Sequence, residues 1–312
     1  MENYLKFRVG GVILPLLILW LVMALTSDRF LSFININNIL VQFSIVGVLA
    51  IGTTFVVIAR EIDLSIGSIE GFCAVIAGLC TVTLGVPWPM SVALAIAAGA
   101  LIGLFNGAMV TVVGVPSFVV TLGSLGIVSG LALTLTQGQS VYGFPDGYLA
   151  IGQARILGLN ISVLICLSLV LVLQGILRGT GMGVNFYAVG GNERAARLAG
   201  ISVVQTKIIA FVLSGACAGL AGVMVSSRLN AANPTFGTLE LLDAIAAVVI
   251  GGAALTGGVG SIIGAAAGAL LIVSIRNGLN LHGVNPFVQQ TAIGLMIIVA
   301  ALLDRFSRRN RG

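Results

Sequence analysis

The sequence predicts an all-α polytopic membrane protein, with about ten transmembrane helices in two inverted five-helix halves that include broken or re-entrant segments. Three observations lead there. Of 312 residues, 58% are hydrophobic and only 8% charged, and the mean hydropathy is +1.14. Soluble domains carry about 25% charged residues, and burial on folding saturates near about three quarters of the chain's surface, so lipid must solvate much of this one. Apolar stretches near the length of a bilayer crossing, about 20 residues, recur along the whole chain. The 42 glycines suit close helix packing in lipid.

The stretches fall at 9–26, 39–58, 66–85, 91–113, 116–136, 159–177, 207–226, 241–256, 258–276 and 287–303. The first follows Lys6 and Arg8, like a signal peptide, but it is long for an apolar core of that kind and no small-residue cleavage pattern follows. It reads as an uncleaved helix. The stretch 241–256 is short and glycine-rich, which suggests a broken or re-entrant element. Gly99, Gly103 and Gly107 lie four apart, as do Gly260, Gly264 and Gly268, each set a smooth stripe on one helix face. No linker separates a soluble domain, so residues 1–312 form one membrane domain.

An even number of crossings leaves both ends on one side. With both ends inside, that side holds Lys6, Arg8, Arg60, Arg178, Arg194, Arg197, Lys207, Arg305, Arg308, Arg309 and Arg311. The other holds Arg29, Arg155, Arg228 and Arg276. Basic residues mark cytoplasmic loops, so both termini are expected in the cytoplasm. The net charge of +5 is explained by these loops; no basic stripe with interleaved aromatics points to nucleic acid.

A motif repeat supports two halves. Ile66–Gly71 resembles Val259–Gly264, and Ala97–Leu101 matches Ala266–Leu270. Each is followed by an Asn-Gly pair (Asn106-Gly107, Asn277-Gly278), and Pro116–Val119 resembles Pro286–Val288. Inverted repeats of this kind build many transporters.

Several activities are excluded. A P-loop needs lysine in a defined setting, and Lys6 and Lys207, the only lysines, neither follow glycine nor precede Ser or Thr. Gly179–Gly183 follows no strand and is no nucleotide fingerprint. His282 stands alone in an outer loop, which leaves no metal set and no catalytic triad. Cys73, Cys80, Cys166 and Cys217 lie in apolar stretches without a C-x-x-C pair and read as buried thiols.

Three constellations remain. Arg60–Ser68 sets Arg60, Glu61 and Asp63 between two apolar spans. It is either a tight turn whose Asp63, Ser65 and Ser68 cap helices, or a broken-helix element that lines a path, because charges at membrane depth usually face a cavity or a partner. The stretch Tyr187–Ile201 has Asn192 as an N-cap, Glu193 in the first turn and Gly200 as a C′ residue, which predicts a two-turn helix outside lipid. Arg194 and Arg197 share one face, and Ala195 and Leu198 another. It is either a knob for a groove on another protein or an amphipathic helix on headgroups. In the third, Asn230–Asp243, Glu240 and Asp243 stand at an outer loop; with Asp146 they either contact a partner or solute or are merely solvated.

These segments resemble the permease subunits of ribose-type ABC importers, the family serving ribose, xylose, arabinose, galactose and autoinducer-2. The matching pieces are Ile62–Ser68, Val115–Gly123, Tyr187–Ile201 and Asp243–Gly252 with Gly258 and Gly260, in family order across nearly the whole chain. Two departures stand out: Arg60-Glu61, where the family commonly has Gly-Gly, and Ala253–Thr256, where it often shows Ser or Thr earlier. The resemblance implies the permease subunit of an importer in a bacterial inner membrane, for a small polar solute, foremost a monosaccharide. It implies a second permease copy or related permease, a periplasmic substrate-binding protein, and a cytosolic ATPase that holds ATP and Mg; this chain would bind no cofactor. The ATPase would dock on a coupling segment at about 179–206, at Tyr187, Gly190, Gly191, Asn192, Glu193, Arg194, Arg197, Leu198 and Gly200. Asp63, Ser65, Ser68 and Asn106 are the translocation-pathway candidates. An ion-coupled carrier, and ABC permeases for branched-chain amino acids or nucleosides, are the alternatives.

Overall fold

In a computed structural model the described residues run from 2 to 309. Each apolar stretch forms a helix: α1 (Glu2–Thr26), α2 (Phe33–Ile58), α3 (Ile66–Gly78), α4 (Trp88–Ala108) and α5 (Ser117–Thr136) come first. Short α6 (Asp146–Gln153) precedes α7 (Ile161–Gly179), α8 (Gly181–Gly191), α9 (Glu193–Leu198) and α10 (Val203–Leu229). The last are α11 (Glu240–Ile250), α12 (Ile262–Leu281) and α13 (Pro286–Arg309). Single π-helical turns, Leu79–Thr83 and Met109–Val113, extend α3 and α4. Local chemistry sets the starts. Ser32, Asn192, Ser202 and Ser261 accept a hydrogen bond from a backbone N–H three residues on, and prolines precede or open α4 and α5.

Among the described residues, seven helical segments are long and apolar enough to cross a membrane: Phe33–Ile58, Ile66–Thr83, Trp88–Val113, Ser117–Thr136, Ile161–Gly179, Val203–Leu229 and Ile262–Leu281. Gly11–Thr26 is a shorter apolar helix, and α11 has only 11 residues. The glycine-rich end of the 241–256 stretch leaves the helix at Gly251 and turns back through Gly257 and Gly258, both at positive φ.

The core forms around α2, whose apolar window is 94% buried, and α10. α10 packs against α2, α3 and α4; α2 packs in turn against α11 and α12. The glycine stripes make these contacts. A Cβ on Gly99, Gly103 or Gly107 of α4 would strike the α10 backbone at Gly215, Phe211 and Ile208, and one on Gly264 or Gly268 of α12 would strike α11 at Gly251 and Ala247. Outward faces carry Leu17, Leu21, Leu101, Leu131 and Leu171, all exposed, as lipid-facing helices require.

The motif repeat does not map helix onto helix. Ile66–Gly71 opens α3 while Val259–Gly264 leads into α12, yet the next matched pair puts Ala97–Leu101 on α4 and Ala266–Leu270 again on α12. In the packing, α10 binds α3 and α4, while α2 binds α11 and α12.

Other expectations change. The polar gap 137–158 holds α6, fastened to α10 where the Tyr148 hydroxyl meets Ser226 Oγ at 2.6 Å and Gly152 N–H donates to Ser227 Oγ at 2.8 Å. Burial pushes the Tyr148 phenol well above the ordinary range. A short antiparallel pairing of Val141–Tyr142 with Ala231–Ala232 joins this gap to the segment after α10. Asp243 is not a loop acid: it is 3% exposed in the first turn of α11, with Arg276 Nη2 donating to its Oδ1 at 2.8 Å. Asp146 stays exposed in the first turn of α6, and Glu240 is half-buried. Cys73, Cys166 and Cys217 are buried, Cys80 is partly so, and all four are free.

Candidate functional site

Residues 59–65 carry the chain from α2 into α3. α2 ends at Ala59 with Arg60 left-handed at φ 66. Arg60 N–H donates to Val57 O and Glu61 N–H to Val56 O, both at 3.0 Å, the paired bonds of a Schellman stop. Glycine favours that conformation, which gives the family's Gly-Gly a physical reason and makes Arg60 an unusual occupant. Arg60 is exposed.

Asp63 then turns inward and is 2% exposed. Its Oδ1 accepts from Ser65 N at 2.9 Å and Ser65 Oγ at 2.6 Å, and its Oδ2 from Ser214 Oγ at 2.8 Å. Ser65 Oγ accepts from Asn106 Nδ2 at 2.9 Å, and Asn106 Oδ1 from Ser124 Oγ. Ser68 Oγ donates to Ser65 O at 2.8 Å. Ile62 N–H donates to Ser117 Oγ, and Thr121 Oγ1 donates to Ile62 O, each at 3.3 Å. The turn is thus clasped to α4, α5 and α10 at once. Ser214 lies about 16 Å along α10 from its start, so the clasp is deep within the bundle.

All four pathway candidates gather here: Asp63, Ser65 and Asn106 in one buried network, Ser68 half-buried beside it. Neither carboxylate oxygen of Asp63 is free. Beyond the clasp, α3 meets the segment leading to α11: Gly67 backs onto Gly237, and Gly71 onto Pro234 and Phe236, with no room for a Cβ. The starts of two helices therefore converge, α3 from one side and α11 from the other. That segment reads in sequence as a peripheral loop; the structure draws it inward.

The second cluster lies where α2 ends and α10 begins. α9 has the local design its sequence encodes. Asn192 Oδ1 accepts from Ala195 N at 3.1 Å. At the other end Gly200 is left-handed at φ 80, with Gly200 N–H bonded to Arg197 O and Ile201 N–H to Ala196 O. Ala196 is buried against Val189 and Val203. Arg194, Arg197 and Leu198 are exposed, Leu198 at 91%, and with Glu193 they edge an open depression. Gly190 seats the preceding turn against Ile58 and Gly258, where a side chain would not fit, while Gly191 is exposed. The Tyr187 hydroxyl donates to Gly260 O at 2.8 Å; burial pushes its phenol up, against a smaller downward pull from nearby Arg178. Glu193 pairs with Lys207, which also meets Glu61 at 2.6 Å.

Sequence reasoning missed Ser214 and Ser124, which complete the clasp, Ala196, which anchors α9, and the two partners of Lys207. Their partners are remote in the chain, so no local motif carries them.

The chain belongs to a family of transport permeases, described as "branched-chain amino acid transport system / permease component", whose model matches residues 35–301. Among curated relatives it is 38% identical over 298 residues to the ribose import permease protein RbsC of Bacillus subtilis, across 95% of this chain and 92% of that one. It is 37% identical over 311 residues to RbsC of Haemophilus influenzae, 96% of each chain. To the xylose transport system permease protein XylH of Escherichia coli it is 33% identical over 367 aligned positions, 98% of this chain and 93% of the relative. No solved structure matches.

Proposed function

We propose that this chain is the membrane-spanning permease subunit of an ATP-driven sugar importer, with a pentose such as ribose or xylose as its solute. The relatives named above support the sugar class. The family description mentions branched-chain amino acids, but these full-length relatives are named for pentoses.

The observation that carries the mechanism is α9, a capped knob with exposed Arg194, Arg197 and Leu198 on an anchored frame. A solvated helix stabilised only by its own fold needs no such seating. A cytosolic ATPase, holding ATP and Mg, would receive the knob in a groove. Closure of the paired ATPases would push it, and nucleotide would favour one state of the pathway by binding the two states differently. A periplasmic binding protein would deliver sugar to the opposite face, and a second permease copy or related permease would complete the pathway.

The bundle would sit in a bacterial inner membrane with both termini cytoplasmic. The α9 end carries Arg60, Arg178, Arg194, Arg197 and Lys207, the sign expected of the inner side. Ten crossings in two inverted halves fit the exchange of partners between α2 and α10. In this reading the Asp63–Ser65–Asn106 clasp, with Ser68 beside it, frames the pathway, and the converging starts of α3 and α11 offer N–H-rich helix ends to sugar hydroxyls.

The test is reconstitution of this chain alone in liposomes under an imposed ion gradient, then with its ATPase and binding protein, using radiolabelled ribose and xylose. Concentrative uptake is expected only with both partners and ATP. Concentrative uptake by the chain alone would make it an ion-coupled carrier.

A further inference from the structure

Lys207 stands in the first turns of α10 with a carboxylate on either side. Its Nζ lies 2.6 Å from Glu61 Oε1 and pairs with Glu193 as well. Lys207 and Glu61 are only 12% and 11% exposed, and Glu193 is 39% exposed. Glu193 is the first residue of α9, and Glu61 lies two residues before Asp63. One ammonium therefore ties the root of the knob to the turn whose hydrogen bonds grip α4, α5 and α10. Partial burial weakens solvent screening of both pairs, and removal of the ammonium leaves two carboxylates facing one another. A shift of α9 must either break a charge pair or carry Glu61, and the clasped turn with it. The knob's other anchors, the Ala196 cluster with Val189 and Val203 and the Gly190 turn packed on Ile58, hold α9 by packing, while the Lys207 pairs supply the charged link to Glu61.

We propose that Lys207 is a positioning residue for coupling: through Glu193 and Glu61 it transmits displacement of α9 to the Asp63 turn, and it is not part of the docking contact itself. This rests on the importer reading above.

The experiment uses the assembled complex in proteoliposomes. It measures ATP hydrolysis with and without sugar-loaded binding protein, uptake of radiolabelled ribose and xylose, and the amount of ATPase that co-purifies. For Lys207→Met, wild-type ATPase recovery and basal hydrolysis are expected, with stimulation by loaded binding protein and uptake both down at least tenfold; Lys207→Arg restores most of both. Uptake by Lys207→Met within twofold of wild type overturns the inference, as does a loss confined to ATPase recovery, which would make Lys207 a docking residue. Glu61→Gln covers the case in which Lys207→Met folds poorly, because it leaves the Lys207–Glu193 pair and α9 in place. It should dock normally and lose stimulation, and full coupling in that variant is equally fatal. A wild-type complex that neither hydrolyses nor transports in response to either sugar removes the importer reading for these sugars, and this inference with it.

Discussion

Asp63 and Glu70 are two buried acids with opposite surroundings. Asp63 accepts three hydrogen bonds, whereas Glu70, fully buried on α3, has no hydrogen-bond partner at either carboxylate oxygen among the described residues. Asp63→Ala would orphan the donors of Ser65 and Ser214 and should cost on the order of 2–4 kcal/mol, read as a lower thermal unfolding midpoint in detergent. Glu70→Leu removes a polar group that nothing compensates and should raise that midpoint, by about 1–3 kcal/mol of stability. Arg60→Gly relieves the left-handed turn and should add roughly 1 kcal/mol; a destabilised Arg60→Gly variant would mean the side chain does something its exposed position does not reveal. At this scale the sequence is half legible. The residues 60–68 stand out as charged and polar between spans, but their partners do not. Asn106 is 41 residues from Ser65 and Ser214 is 151 from Asp63, so no local pattern announces the pairing. The fold joins them in a clasp, with the hydrogen-bonding capacity of Asp63 turned inward.

Helices were the most legible level, because each signal is local. Asn192 and Gly200 mark both ends of α9 within one short segment, and the structure places both caps where those residue types require. Asn192→Ala should loosen the knob by about 1 kcal/mol, read as faster amide exchange across 193–199. The stripe at Gly99, Gly103 and Gly107 likewise announces a close helix contact, though not its partner, which is α10. Gly103→Val would force α4 off Phe211 of α10 and should sharply reduce the yield of monodisperse protein; an unaffected yield would mean that the two helices do not approach as closely as the structure has them. What sequence could not supply was the path between spans. α6 and the inward course of residues 233–239 depend on contacts with α10 and α3, and neither leaves a periodic pattern in its own residues. The motif repeat does not run helix for helix for a related reason: Gly- and Ala-rich helices share smooth faces, so similar motifs arise wherever helices pack closely.

At the scale of the whole molecule, the proposed function makes this a membrane bundle that would take work from a separate ATPase through the exposed α9. Composition made the membrane class plain, because so few charges cannot clothe a soluble surface. Basic residues gave the expected orientation. The most direct test labels Leu198→Cys with a membrane-impermeant maleimide, Leu198 being 91% exposed at the tip of α9 while three of the four native cysteines are buried. The account predicts modification in inverted vesicles, none in right-side-out cells, and protection when the ATPase is bound. Modification from the outside, or full reactivity under a bound ATPase, would contradict it.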